Sequence, residues 1–339
     1  MAVVAPAVDA VAGVLPRGYR AREFREQDRE PLTAERNAGL PEVEQETASD
    51  WREWERMMPD PTLVRVIVES VDGEIAAFVQ VSNGGPFKAP DGSARGSLDV
   101  ARARRGQGLG SALLPVVEDE ARRLGAPKLY GGVSARDEDA LPWAEHRGYR
   151  EIGRRIQAAL DVHAFDPARW RDRLRKATEQ GIRFVTLDER RGQLSDDAFE
   201  TVLRELYDVE GQTWDDVPIA GPFPHWPYET FRRLMIETPA SVLDLDVLAY
   251  DGDRIIGFTS SYREGGGMKG GTGYTCVLRS HRGRGIAFAL KVDVLERAKA
   301  KGMRWMMTTN DEPNKAMRGI NHALGYSALP AHIQLEKTL

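Results

Sequence analysis

The 339 residues contain one cysteine, Cys276, so no disulfide can form within the chain. That fits a reducing cytoplasm. The six histidines are scattered and none shows zinc-ligand spacing, so no metal site is expected. No run of about 18 apolar residues exists, and no membrane span is expected. The apolar opening MAVVAPAVDAVAGVLP lacks a basic flank before it and is interrupted by Pro6 and Asp9, so residues 1–16 read as a disordered tail rather than a signal peptide. Excess positive charge is missing too. A formal net charge of −5 argues against broad binding to DNA, RNA or anionic lipid. With 41% apolar residues the chain can fill the cores of two ordinary domains.

Arginine is unevenly spread. It gathers in ARARRG (101–106) and LRSHRGRG (278–285), with glycines between the charges, which suits an anionic ligand. The two places are one phrase written twice, RRGQGLG at 104–110 and HRGRGIA at 281–287, 177 positions apart. At that shift Val100 falls on Val277, Arg105 on Arg282, Gly106 on Gly283 and Gly108 on Gly285. Gly125 meets Gly302, Gly148 and Tyr149 meet Gly325 and Tyr326, and Ile156 and Gln157 meet Ile333 and Gln334, with no gap. Upstream the register drifts, as VDGEIAAF and YDGDRIIGF show, and loop insertions explain the drift. The chain is therefore read as two domains, 17–165 and 181–339. A linker helix over 166–180 joins them, with Asp166 as cap, Pro167 in first position and Gly181 as the stop.

Each phrase follows a strand pattern, SLDVA or GYTCVL, and precedes a helix pattern. The apolar stripes are Leu109, Ala112, Leu113, Val116, Val117 and Leu124 in one half, and Ile286, Leu290, Val294 and Ala298 in the other. This order puts the amides of 105–110 and 282–287 at a helix N-terminus, where unpaired donors and the positive dipole end attract phosphate oxygens. The dinucleotide fingerprint fails because Ser111 and Phe288 stand where its third glycine belongs, and the P-loop fails because no Lys-Ser/Thr pair follows. What matches is V-x4-R-x-x-G-x-[GA]: Val100, Arg105, Gly108 and Gly110, then Val277, Arg282, Gly285 and Ala287. This resembles the coenzyme A pyrophosphate loop of the GNAT acetyltransferase superfamily, strongly over 96–157 and 270–335 and weakly upstream of each.

The resemblance implies an α/β (mixed α+β) fold of two tandem GNAT domains, each a mostly antiparallel mixed sheet with splayed central strands flanked by helices. It implies acetyl-CoA as co-substrate in the wedge. The strand ending at Val277 would offer its backbone to the pantetheine arm, Leu278 and Arg279 would also meet the cofactor, and the amides of Arg282, Gly283, Arg284, Gly285, Ile286 and Ala287 would hold the pyrophosphate. Asn310 and Asn314 match asparagines that family members commonly place near the cofactor, where the first half has Val133 and Asp137. The second half is therefore taken as catalytic and the first as degenerate. In the first half Val100, Arg105, Gly106, Gly108 and Gly110 either still hold CoA or only hold the fold. The arrangement resembles that of the tandem actinobacterial GNAT proteins, of which mycothiol synthase is one. Many members protonate the departing thiolate with a tyrosine four residues before the last G[FY]; Ala144 and Asn321 stand there instead.

An alkyl ammonium of pKa about 10.4 must lose a proton before it attacks, at a cost of roughly 4 to 5 kcal/mol at pH 7. Candidates to take it are Tyr274 and Cys276, which share one strand face, and Asp216 in TWDDVPIAGPFPHWPY, with Asp215 and His225 nearby. Each has a plainer reading: core packing for the first two, turn formation for the aspartates, packing between Phe223 and Trp226 for His225. The function expected is an acetyl-CoA-dependent N-acetyltransferase that acts on a small-molecule amine by direct attack in a ternary complex. It would be cytoplasmic, and a monomer or homodimer. A non-catalytic acyl-CoA sensor and a protein lysine acetyltransferase are the alternatives.

Overall fold

A computed structural model describes residues 5–57, 59–219 and 224–339. The chain divides into two compact units that are not contiguous in sequence. One takes the chain up to Arg154 together with Ala331–Leu339; the other takes Arg155–Ile219 and His225–Pro330.

In chain order the first part forms α1 (Ala5–Val14), β1 (Tyr19–Glu23), α2 (Arg29–Asn37), α3 (Ala48–Met57), β2 (Val64–Ser70), β3 (Ile75–Ser82), β4 (Ala94–Val100), α4 (Leu109–Arg123), β5 (Lys128–Ser134) and α5 (Ala140–Glu145). Then follow β6 (Arg150–Asp161), α6 (Arg171–Thr178), β7 (Ile182–Thr186), α7 (Leu187–Gln193), α8 (Asp196–Trp214), α9 (Tyr228–Ile236), β8 (Val247–Asp251), β9 (Arg254–Glu264) and β10 (Lys269–Val277). The chain ends with α10 (Ile286–Ala300), β11 (Trp305–Asp311), α11 (Lys315–Leu324), β12 (Ser327–Ala328) and β13 (His332–Thr338). Among the described residues no helix is long and apolar enough to cross a membrane.

The first unit is a mixed sheet in the order β1-β2-β3-β4-β5-β13, antiparallel except for the parallel pair β4–β5. Helix α4 fills one side, burying Leu109, Leu113, Val116, Val117 and Ala121 at the helical spacing read from the sequence. The disordered tail expected over 1–16 is corrected for residues 5–14, which are helical. Ala7 and Val11, four apart, put an apolar stripe on one face, and both are buried against the core that α4 also lines.

The second unit has the order β6-β11-β10-β9-β8-β7, with only β10–β11 parallel and with β12 along β6. Helix α10 crosses between the two parallel strands, burying Ile286, Leu290, Val294, Leu295 and Ala298. Helix α8 buries Phe199, Val202, Leu203, Leu206 and Val209 into the same core. Helix α6, preceded by a single turn over Pro167–Trp170 that Asp166 caps, packs here too, with Trp170 5.1 Å from Phe288 between ring centroids.

The two halves of the sequence exchange their closing strands. Residues 155–161 of β6 pair with β11 of the second unit, while β13 pairs with β5 of the first from Ser134↔His332 to Lys128↔Thr338. These are the segments that the repeat superimposes, so each unit is completed by a strand from the other half of the sequence. A fragment spanning 1–165 should therefore fail to unfold cooperatively by circular dichroism, because it leaves one edge of β5 unpaired, with only the two rungs to β4 remaining, and removes the buried Ile333 and Leu335. Fusing residues 331–339 to its end through a flexible linker should restore a cooperative transition.

Candidate active site

The glycine phrase folds the same way in both units. Gly283 and Gly106 lie at φ 76° and 74°, and Gly285 and Gly108 at φ 80° and 86°, left-handed positions that a side chain would strain. Gly285 is the N-cap of α10, whose first helical bond runs from Ala289 N–H to Gly285 O. The amides from Gly283 to Phe288 therefore emerge at the helix N-terminus without helical acceptors. Arg282 turns back so that its Nε donates to Val277 O at 2.9 Å, and Arg105 does the same to Val100 O at 3.1 Å. Arg284 is tied to Gln180, its Nε 3.0 Å from Oε1. Leu278 is buried beside Ile256, whose carbonyl accepts its N–H. These residues fit a diphosphate, with backbone donors aimed outward and guanidinium groups at the rim.

A wedge opens beside each loop. Strands β10 and β11 pair from Lys269↔Trp305 to Thr272↔Thr308, then part, β10 continuing on β9 and β11 on β6. In the first unit β4 and β5 pair only at Ala94↔Leu129 and Arg95↔Tyr130. One difference between the copies is a bulge. Ser261 and Thr259 share a face of β9, yet their partners are Thr272 and Thr275, three apart, whereas β4 runs along β3 without a shift. The extra residue turns Tyr274 and Cys276 to the face opposite Thr272.

That face meets α8. Tyr274 Oη lies 3.0 Å from Thr213 Oγ1, and Cys276 is buried next to them. Burial raises the Tyr274 hydroxyl well above its usual range and pushes the Cys276 thiol up to about 12, so neither ionises near neutrality. Asp216 follows α8 and grips two of the loop's arginines, Arg279 and Arg282. Its carboxylate accepts from Arg279 Nε at 3.0 and 2.9 Å and from Arg282 Nη2 at 2.6 Å. Those hydrogen bonds, Arg279 first, hold its pKa down to about 2, which makes it a weak proton acceptor.

The sequence reading did not single out Glu210. This carboxylate sits on the buried stripe of α8, 7% exposed, one residue after Val209 and one turn before Thr213. His225 Nε2 is 3.3 Å from it, and the imidazole stacks on Tyr207 (5.1 Å, 17°) and leans on Trp214 (5.1 Å). An acidic residue on an apolar stripe was the available signal. Residues 220–223 of the adjoining loop, Phe223 included, lie outside the described residues, so the expected Phe223–Trp226 sandwich has no structural counterpart to examine.

Asn310 lies on β11 beyond the parting point and accepts from Asn321 Nδ2 at 2.7 Å. Asn314 caps α11, accepting from Met317 N–H at 3.2 Å. In the first unit the aligned Asp137 instead pairs with Arg105 at 2.6 Å. There Phe78 of β3 meets Trp51 of α3 and Phe24, interleaved with Arg29 and Arg36 of α2 and Arg65 of β2, and Arg65 and Arg29 hold Glu55 down to about 2 against the effect of burial. Among the described residues no three His, Cys, Asp or Glu side chains gather as a metal site would need.

A parted parallel pair with a glycine-turned helix N-terminus at its mouth, present twice, defines the scaffold of a tandem acyltransferase. The sequence matches the acetyltransferase (GNAT) family over residues 23–149 and again over 203–326, and the chain belongs to that family, whose chemistry is acyl-CoA-dependent acetyl transfer. No curated protein sequence matches it. Similar solved structures include a GCN5-related N-acetyltransferase from Sphaerobacter thermophilus, 22% identical, TM-score 0.71, covering 95% of this chain and 96% of that one. Another is a tandem GNAT protein from the clavulanic acid biosynthesis pathway, 18% identical, TM-score 0.66, covering 94% and 98%. At these identities the likeness is one of fold.

Two outcomes follow from the geometry. Replacing Asp216 with Asn should leave kcat within about tenfold of the parent, whereas loss of a general base costs about 100-fold or more. Iodoacetamide should modify Cys276 only after denaturation, as mass spectrometry of native and urea-treated protein would report.

Proposed function

We propose that the second unit transfers the acetyl group of acetyl-CoA to the amine of a small molecule by direct attack in a ternary complex. The observation that carries this is the bulge in β10. It sits at the parting of the strands and turns the Tyr274–Cys276 face toward the polar cluster of Thr213, Glu210 and His225, while β4 has no bulge. The corresponding face of the first unit is occupied by its arginine and aromatic network. A cavity of about 190 Å³ remains there, lined by Leu32, Arg36, Phe78, Val100 and Arg105 among others. This supports a division of labour like that of the mycothiol synthase-like proteins, with chemistry in the second unit and a degenerate first unit.

In this reading the amides of Gly283 to Ala287 and the side chains of Arg279, Arg282 and Arg284 hold the diphosphate of acetyl-CoA. The edge of β10 beyond Thr272, freed of β11, takes the pantetheine amides. Asp216 orients Arg279 and Arg282 rather than accepting a proton. The pair Glu210–His225 removes the proton from the acceptor ammonium, directly or through a water, and the aromatic rings of Tyr207 and Trp214 keep that pair out of bulk solvent. Preorganised strand amides at the bulge stabilise the oxyanion. An acidic chain with one buried thiol fits cytoplasmic work on a small molecule, as a monomer or homodimer and without a nucleic-acid partner. Asn321 in place of the usual tyrosine favours a second reading, an acyl-CoA sensor without turnover.

Purified protein with acetyl-CoA and a panel of small amines, followed by free-thiol release, separates the two. Repeated turnover with any amine rules out the sensor, and no turnover with any rules out the enzyme. Arg282→Glu with Gly285→Glu should abolish turnover, whereas Arg105→Glu with Gly108→Glu should alter stability or ligand stoichiometry. Equal loss of chemistry from both pairs would contradict the assignment to the second unit. Glu210→Gln should lower kcat by about 100-fold with little change in the KM for acetyl-CoA.

A further inference from the structure

A lysine is buried at the closed end of the second wedge. Lys291 on α10 is 2% exposed, and the 177-residue repeat places the apolar Leu114 at the same point of the first unit. Its Nζ donates to Thr272 Oγ1 at 3.3 Å and lies 5.4 Å from the centroid of the Tyr326 ring. Among the described residues no carboxylate pairs with it. Burial alone draws its pKa down, to about 7. The titratable group that faces it is Tyr326, with Tyr262 of β9 behind. Along α10, Asp293 is taken up by Arg297. Lysine seldom occupies such a place without a counter-charge, and the packing of α10 against the sheet would be served as well by leucine.

The position matters because Thr272, with Thr308, is the last rung before the strands part. From Val277 beside the loop back to Thr272 the strand covers roughly 17 Å at the usual rise per residue. An extended phosphopantetheine arm spans a comparable distance, so a thioester whose diphosphate sat on the loop would bring its sulfur toward Thr272. The usual acid is absent: Asn321 is a neutral amide, committed to Asn310.

We propose that Lys291 protonates the departing CoA sulfur, taking over the task of the missing tyrosine. The proposal rests on the reading of the second unit as the acetyl-transferring one. When the carbon–sulfur bond breaks, its electron pair goes to sulfur. One N–H bond of the Lys291 ammonium breaks and an S–H bond forms. The lysine is left as a neutral amine beside Thr272 and recovers a proton from solvent, where the acceptor amine has released its own, so the cycle closes without another reagent.

Two measurements test this. In wild-type protein kcat for acetyl transfer should fall as pH rises through the lysine pKa, because the neutral amine has no proton to give. A kcat that does not fall there overturns the proposal, and needs no variant. Lys291→Met should bind acetyl-CoA within about threefold of wild type by calorimetry, yet lose about 100-fold in kcat. It should also lose the fall in kcat that wild type shows as pH rises through the lysine pKa. Retained kcat and an unchanged pH profile would overturn the proposal. If wild-type protein bound no acetyl-CoA, the functional reading itself would be at fault. If it bound and turned over with no such fall in kcat, only the role of Lys291 would be.

Discussion

Four rungs of pairing between β10 and β11, and then none, set the geometry on which the second unit depends. Parallel neighbours need a crossover, and α10 is that crossover. Because it leaves from the far end of β10, its N-terminus lies at the open end of the wedge, and it returns the chain to the closed end where β11 begins. Donors for an anion therefore stand at the mouth and strand edges line the walls. The glycines at 283 and 285 allow the turn that makes this connection short, and Arg282 locks it by holding the carbonyl of Val277.

The two copies keep that frame and differ in what surrounds it. Glycine angles, the arginine-to-carbonyl bond and the parting strands recur almost unchanged. The differences lie in side chains that would meet reacting atoms. The second unit has Glu210 and His225 behind a bulged strand and a lysine under the closed end. The first has a straight β4, a leucine at the lysine position and a cushion of arginines and aromatic rings. A duplicated scaffold can lose chemistry while keeping its turns, because the turns are needed for folding in either case.

Much of this was legible in the sequence. The loop could be read because glycine spacing, arginine placement and apolar stripes are local signals. The bulge could not, since a one-residue slip exists only between partners and leaves β10 alone looking regular. Tyr274 and Cys276 were rightly placed on one face, but their burial, which removes them as bases, depends on α8. Glu210 and Lys291 were visible as charges on apolar stripes, yet such charges acquire meaning only when their neighbours are known. The helix at Ala5–Val14 was hidden by its composition, because alanine and valine at four-residue spacing promise little until a core receives them.

The exchanged strands carry a consequence for how the molecule comes into being. During synthesis the first unit emerges from the ribosome with the edge of β5 open, and it stays open until residues 331–339 have been translated. Neither half can be released as a finished product. Each copy of the duplicated frame thus depends on the other half of the sequence for its last strand.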